Sequence, residues 1–591
     1  MTPVPGGDIE AGLAAPALPS TAAPGRARAW AHGGLRWLAE HRLVLAAGLL
    51  AAVPVIASTV RALSAGWVPL GDDGVIVVRS FDVLTLHPPL LGQYSNSSGV
   101  TGQELHSLGP LLYWLLALPA RYLGYSAPVV AVGLVNLTSV MGVVALARRR
   151  AGVPLMIATA IAVAVMCGSL NAEALHDVWN PAVALLPFTL LIFVGWSLAC
   201  GEHRWLPLAV LLASFCAQCH ITYVLPSLGL LVSGIAGVVL ARRGSPPASR
   251  EPIRRWVIAA ALVAAVCWSA PLLDQAIHRP GNFVVLGRTA EAQKSTLGSS
   301  AGLRAVVRAV GVPPWWLRPA PDPVVRLHEL SGRPPDPPGA LAIGSCVLII
   351  GAVFATVLLG RRRRRWDIVA AGTISLVLCA TLALAIASTP TKDNLFLSVG
   401  YTSWWGSPAG MWVWLTLGWS AVALGLPGRR LAAVRLPRVA PAIGIVVAGI
   451  VAVLIAASAG PDPLKPAFRP MRTIIDGIDA RVPQHRRVFV DSAATYTGID
   501  FQPAVVLALR RRGTPVVTAA LLPALGQQYN PSRGYDDVLR IDEGDRPAPP
   551  GGRVIARVSV PRAHAPGELR PAQGRVTVTL VPARRVRRIA G

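Results

Sequence analysis

The chain has 591 residues, 53% of them hydrophobic and only 14% charged. A soluble chain of this length would divide into domains with alternating polar and apolar positions; here the apolar residues gather instead into runs of about 18 to 22, long enough to cross a hydrocarbon core of roughly 30 Å as helices. The net charge of +26 would suit a nucleic-acid binder, but the basic residues sit in short clusters between the apolar runs, which speaks against a nucleic-acid partner and for a lipid bilayer.

Residues 1–40 are rich in Ala, Pro and Gly, carry Arg26, Arg28 and Arg36, and read as a disordered cytoplasmic tail, too long for a simple cleaved signal peptide. The first span is expected near 43–63. Further spans fit near 127–147, 153–171, 181–199, 205–220, 222–241, 256–274, 340–360, 367–388, 409–427 and 439–459, about eleven in all, within a membrane unit over 41–460. With the N-terminus in the cytoplasm, the clusters Arg148-Arg149-Arg150, Arg242-Arg243, Arg254-Arg255, Arg361 to Arg365 and Arg429-Arg430 all fall inside. The outer side then receives a first loop (65–126), a short loop (172–180), a long loop (275–339), 389–408 and everything after 460. Heavy use of Ala, Gly, Arg and Pro suits a GC-rich bacterial genome, and hence a multi-pass protein of the plasma (inner) membrane.

The cysteines lie in or at the ends of apolar runs, so no extracellular disulfide framework is implied. Cys216-x-x-Cys219 reads as small apolar residues in a membrane helix rather than a redox pair. The segment 461–591 is not membrane-like. Strands are expected at 487–491, 514–519, 553–560 and 575–581, with a helix over 503–512. The expected fold is therefore an α-helical polytopic membrane protein with a small extracytoplasmic C-terminal α/β domain.

The first polar constellation is Gly71-Asp72-Asp73-Gly74, directly after the first span. Asp and Gly are ordinary turn residues, but adjacent carboxylates at a bilayer surface need solvent or partners. Asp82 and His87-Pro88-Pro89 follow. His106 then leads through Gly109-Pro110-Leu111-Leu112-Tyr113-Trp114 into an amphipathic helix that ends at Tyr122-Leu123-Gly124. The next outer loop holds Glu173, His176, Asp177, Trp179, Asn180 and Pro181. Pro181 is a natural helix start, which does not account for an acid, an imidazole and an acid within five residues. A third cluster, Gln218-Cys219-His220-Ile221-Thr222-Tyr223, lies at an outer turn.

A long first outer loop with an acidic pair at its start and an interfacial helix at its end resembles the GT-C superfamily of membrane glycosyltransferases. Gly109-Pro110-Leu111-Leu112-Tyr113 is similar to that family's His-Pro-Pro-Leu-Tyr-Tyr helix start, with Gly109 in place of the first proline and His106 further upstream. The resemblance is specific over about 66–150 and topological elsewhere. It implies a polyprenyl-phosphate sugar donor, a glycan, lipid or protein acceptor in the cell envelope, and catalysis by Asp72 or Asp73 as base. Glu173 or Asp177 would match a second acidic position of the pocket. Substrate contacts are expected from His87, His106, Tyr113, Glu173, His176, Asp177, Gln218 and His220, and a phosphate contact from Arg279 or Lys392. A divalent cation could bridge Asp72 or Asp73 to the phosphate, although no spacing compels a metal or any other cofactor.

Three other readings remain, one of them a degenerate, non-catalytic membrane scaffold. A ligase or polymerase of lipid-linked glycans would work through His278 and Arg279 in the long loop. A transporter or flippase would place ionisable groups near the midplane and often repeat its halves; here they gather at one face, and no repeat is visible.

Overall fold

A computed structural model describes residues 41–171, 173–244, 246, 252–319, 338–391, 399–425, 439–460, 462–492, 496–544, 548–560 and 574–584. The expected tail 1–40, the Arg429-Arg430 cluster, Lys392 and the middle of the long loop (320–337) lie outside the described residues.

Among the described residues, seven helices are long and apolar enough to cross a membrane: Ala127–Cys167, Asn180–Ala199, Ile221–Gly244, Arg254–Ile277, Ala340–Arg362, Trp366–Ala387 and Ala440–Ser458. The pair His41–Ala51 and Val53–Ser64, bent by 51°, makes an eighth if it is one span. Prolines open several of these helices (Pro54, Pro128, Pro181, Pro441) at the first or second position, where a missing N–H costs nothing.

The expected count of about eleven is not reached, for identifiable reasons. The spans expected at 127–147 and 153–171 lie within the one 41-residue stretch Ala127–Cys167, which the non-helical backbone of Ala151 and Gly152 divides into two helices at the expected junction. A straight helix of that length would run about 60 Å, roughly twice the hydrocarbon core. The helix Leu206–Cys219 has 14 residues, about 21 Å, too short to span by itself. In Gly406–Ala423, Gly, Ser and Pro dilute the apolar residues.

The polar stretch after the first span contains a helix, Gly71–Asp82, with Asp72 and Asp73 in its first turn. Carboxylates are favoured there by the unpaired N–H groups of the helix start. Val75, Ile76, Val77, Val78 and Phe81 are all buried, because this acidic helix lies between the juxtamembrane helix Leu111–Tyr122 and the helix Tyr496–Arg511. Gly74 sets the second approach: a Cβ there would lie 2.6 Å from Cβ of Pro503.

The C-terminal part forms a five-stranded sheet of order β2-β1-β3-β5-β4. Strand β1 (Val488–Asp491) pairs in parallel with β2 (Val516–Val517) and β3 (Asp537–Glu543), while β5 (Gly574–Pro582) runs antiparallel between β3 and β4 (Arg553–Val560). The expected helix over 503–512 starts earlier, at Tyr496. The helix Lys465–Arg481 and the middle strand β3 have no counterpart in the sequence reading. Strand β3 reads as a surface segment because it carries Asp537, Arg540, Asp542 and Glu543. Asp537 and Asp542 are nevertheless buried, each beside an arginine: Arg486 at 3.0 Å and Arg540 at 2.8 Å.

Candidate active site at the acidic helix

Successive side chains on a helix diverge by about 100°, and Asp72 and Asp73 face different surroundings. The Asp72 carboxylate is accessible at the surface, yet protein is crowded around it. That crowding raises its pKa, against the pull of donors from Trp179 and Gln93. Trp179 Nε1 donates to it over 3.1 Å and Gln93 Nε2 over 3.3 Å. Gln93 is oriented in turn by Tyr113, whose hydroxyl donates to Gln93 Oε1 over 3.3 Å. Tyr113 is buried, which pushes its own pKa upward and keeps it a donor.

Asp73 is 4% exposed. Burial raises its pKa well above the carboxylate range, and the charge of Asp177 adds to the rise. Asp177 is its close neighbour, and burial pushes the Asp177 pKa upward as well, so the pair favours a bound proton. Two neighbouring carboxyl groups sharing one proton is the low-energy arrangement for like charges this close. Asp177 Oδ1 also accepts from the backbone N–H of Trp179 over 3.3 Å, which sets the ring that reaches Asp72.

His176 lies behind this pair. Its Nδ1 is 2.7 Å from Ser58 Oγ, and its Nε2 is 3.4 Å from Asp462 Oδ2. The latter spacing is an ion-pair distance without hydrogen-bond geometry, and His176 is almost fully buried. Glu173 caps the cluster; burial pushes its pKa up to about 7, despite a bond from Asn171 over 3.1 Å.

An aromatic wall closes one side. The Trp179 ring stands edge-on to Tyr401 (4.6 Å between centroids) and to Trp404 (5.9 Å), and His220 packs on Tyr401 at 5.6 Å. Thr222, two residues on, donates its backbone N–H to His220 Nδ1 over 3.3 Å, and its hydroxyl accepts from Trp405 over 3.0 Å.

His106 borders the other side. It pairs as an isolated bridge with Tyr94, its ring lies 5.6 Å from the Tyr94 ring, and its backbone exchanges hydrogen bonds with the Asn282 side chain at 2.9 and 3.0 Å. Burial lowers its pKa to about 4, so the ring is neutral near pH 7. Gln218 is a structural tie: Oε1 accepts from the Leu111 N–H at the start of the juxtamembrane helix, and Nε2 donates to the Cys267 carbonyl. This explains Gly109, which replaces the proline of the resembled motif. A Cβ at that position would run into the Gln218 amide.

The structure therefore gathers Asp72, Asp73, Tyr113, Glu173, His176, Asp177 and His220 at one end of the helical bundle, with His106 at the rim. His87 and Arg279 are exposed and lie off this hydrogen-bonded network, and Lys392 is outside the described residues. Among the described residues, no group of three or more His, Cys, Asp or Glu side chains is arranged to hold a metal ion, and the Asp73 carboxyl is committed to Asp177.

No family model matches the chain, and no curated protein matches it. Among solved structures it is similar to the apo form of the oligosaccharyltransferase of Archaeoglobus fulgidus, at 13% identity and a TM-score of 0.27. The match covers 79% of this chain and 64% of that one, less than two thirds of the archaeal protein.

Ser58, Gln93 and Asp462 join the site without a signal in the sequence. Each is a lone polar residue at an unremarkable position, and only the packing of distant segments brings it in. Arg79 is a fourth: it sits seven residues beyond Asp72 on the acidic helix, about 10 Å along the axis, and its charge is felt at both Tyr113 and His106.

Proposed function

We propose that this protein is a membrane glycosyltransferase that moves a sugar from a polyprenyl-phosphate donor to a hydroxyl of a cell-envelope glycan, lipid or protein, on the outer face of the membrane. One observation carries the reading. An accessible carboxylate, Asp72, is held by an indole N–H and an amide, next to a wall of aromatic rings, in a bundle whose helices are long and apolar enough to cross a membrane. Aromatic faces suit the apolar faces of sugar rings, and a polyprenyl chain needs access from the bilayer.

In this reading Asp72, not Asp73, is the base. Asp73 is buried beside Asp177, which favours its protonated form, whereas Asp72 is accessible and its raised pKa makes it a stronger proton acceptor. Asp72 takes the proton of the acceptor hydroxyl. The acceptor oxygen bonds to the anomeric carbon, and the carbon–oxygen bond to the phosphate breaks, its electron pair leaving with the polyprenyl phosphate. A single displacement of this kind inverts the anomeric centre. Arg279 and Arg79 are the candidate cations for the leaving phosphate.

The ligase reading keeps one specific support: the exposed imidazole of His278 has its Nδ1 2.7 Å from Oδ1 of the buried Asp274. The deciding experiment is sugar transfer by the purified protein in lipid, with a panel of labelled polyprenyl-phosphate sugars. Loss of transfer in Asp72→Asn but not in His278→Gln supports the proposal; the reverse pattern favours the ligase.

A further inference from the structure

The last strand of the sheet lies far in sequence from the acidic helix, yet the C-terminal segment grips that helix at both ends. At its C-terminal end, the Asp82 carboxylate is fully buried and accepts from three residues of the segment: Tyr529 Oη at 3.1 and 3.0 Å, Gln528 Nε2 at 3.1 Å and Arg510 Nη2 at 3.1 Å. Arg79, one turn earlier, donates to the Leu525 carbonyl over 2.5 Å. Phe81 is held between the Arg121 and Arg510 guanidinium groups, at 4.7 and 5.5 Å.

At the other end, Arg472 Nε donates to the Gly66 carbonyl over 2.8 Å, five residues before the acidic helix begins at Gly71, and Phe468 packs edge-on against Trp67 at 6.4 Å. Between these anchors Gly74 meets Pro503 with no room for a side chain. Asp462, at the start of the same segment, reaches His176 behind the Asp73–Asp177 pair.

We infer that the C-terminal segment is a positioning clamp: Tyr529, Gln528 and Arg510 hold Asp82, and through it fix where the acidic helix presents Asp72. A buried carboxylate with three donors from one partner has a single low-energy seat, and a helix transmits an axial shift at one end to the other without loss. Tyr529, Gln528, Arg510 and Asp82 are thus positioning residues, not residues that touch substrate. A segment that merely covered the outer face would not need to bury its polar contacts in the one helix that carries the candidate base. The consequence for sugar transfer rests on the reading proposed above; the clamp itself does not.

The test uses the full chain in lipid nanodiscs, comparing wild type with Tyr529→Phe and with Asp82→Asn, the second as an isosteric change that keeps volume while removing the charge. The first readout is amide hydrogen exchange, which needs no substrate. The clamp predicts that peptides covering 71–82 exchange at least tenfold faster in Tyr529→Phe, while peptides from Asn180–Ala199 and Trp366–Ala387 are unchanged. The second is transfer kinetics: kcat falls about tenfold with the KM for donor within twofold, and adding Tyr529→Phe to Asp72→Asn causes no further loss, because the clamp acts through Asp72. Unchanged exchange at 71–82 in both variants overturns the inference, as does a change confined to the KM for acceptor, which would make the segment a binding module. Faster exchange at 71–82 in a protein that transfers no sugar from any donor supports the clamp and overturns the transferase reading, so the two fail separately.

Discussion

Trp179 donates its indole N–H to the Asp72 carboxylate over 3.1 Å, joining the first turn of the acidic helix to a loop 107 residues further along the chain. The same tryptophan gives its backbone N–H to Asp177, the carboxylate neighbour of Asp73. One residue thus orients both carboxyl systems, the accessible one by its side chain and the buried one by its main chain.

Trp179→Phe keeps the ring and removes the indole donor. That donor lowers the Asp72 pKa, so its loss raises the pKa of the base. The acidic limb of the kcat/KM profile for sugar transfer is expected to move to higher pH, with activity near pH 7 reduced about tenfold, of the order of one lost charge-assisted hydrogen bond. An unmoved acidic limb would show that Trp179 does not act on the ionising group.

Asp72→Asn and Asp73→Asn are expected to behave differently. Asparagine at 72 cannot accept a proton, and transfer falls by about two to four orders of magnitude, the usual contribution of a general base. Asparagine at 73 can still donate an amide N–H to Asp177, so the fold survives and transfer falls by less than about tenfold. Asp73→Leu leaves Asp177 without its donor and is expected to unfold at lower temperature than Asp73→Asn, as read by thermal melting in detergent. Equal losses in the two asparagine variants would contradict this division of roles.

Glu173 gives the chain a pH-dependent stability. Its pKa rises from an ordinary 4.5 to about 7 in the folded protein, chiefly through burial. Between those values the folded state holds a proton that the unfolded state has released, so stability falls as pH rises. The contribution is complete below about pH 4.5 and lost as pH passes about 7. Melting temperatures of wild type and Glu173→Gln, measured from pH 4.5 to 8, are expected to differ by an amount that changes through this window and levels off above it. His106 acts in the opposite sense: its pKa falls to about 4, so its share is present above its ordinary 6.5 and lost as pH falls toward 4.

Gly74→Ala places a methyl 2.6 Å from Pro503 Cβ and 3.3 Å from the Ala504 nitrogen. Neither neighbour is the end of a flexible chain, so the two helices must separate. A destabilisation of about 1–3 kcal/mol is expected, typical of overpacking, with loss of transfer in the surviving folded fraction. Gly102→Ala, where a Cβ meets nothing within 4 Å, is a control for the space term, though its left-handed backbone adds its own strain.

The membrane character was legible in the sequence because it is a local property: a run of about 20 apolar residues needs no tertiary context to be recognised. The same holds for strands β1, β4 and β5, whose alternation is written residue by residue. What the sequence could not divide was the roles of Asp72 and Asp73. Neighbours in the chain, they differ only in what packs around them: Trp179 and Gln93 beside one, Asp177 beside the other.

Burial of charge was equally illegible. Strand β3 and the acidic helix carry charges that a local reading assigns to the surface, and both are interior because partners neutralise them, Arg540 from the same strand for Asp542 and distant segments for Asp537 and Asp82. Asp82 is the clearest instance, with donors from Arg510, Gln528 and Tyr529 more than 400 residues away. A carboxylate enters the protein interior only when its partners arrive with it. Their arrival is a property of the packed chain, so the sequence alone determined which segments seek the bilayer, and the tertiary structure decided which acids stay in water.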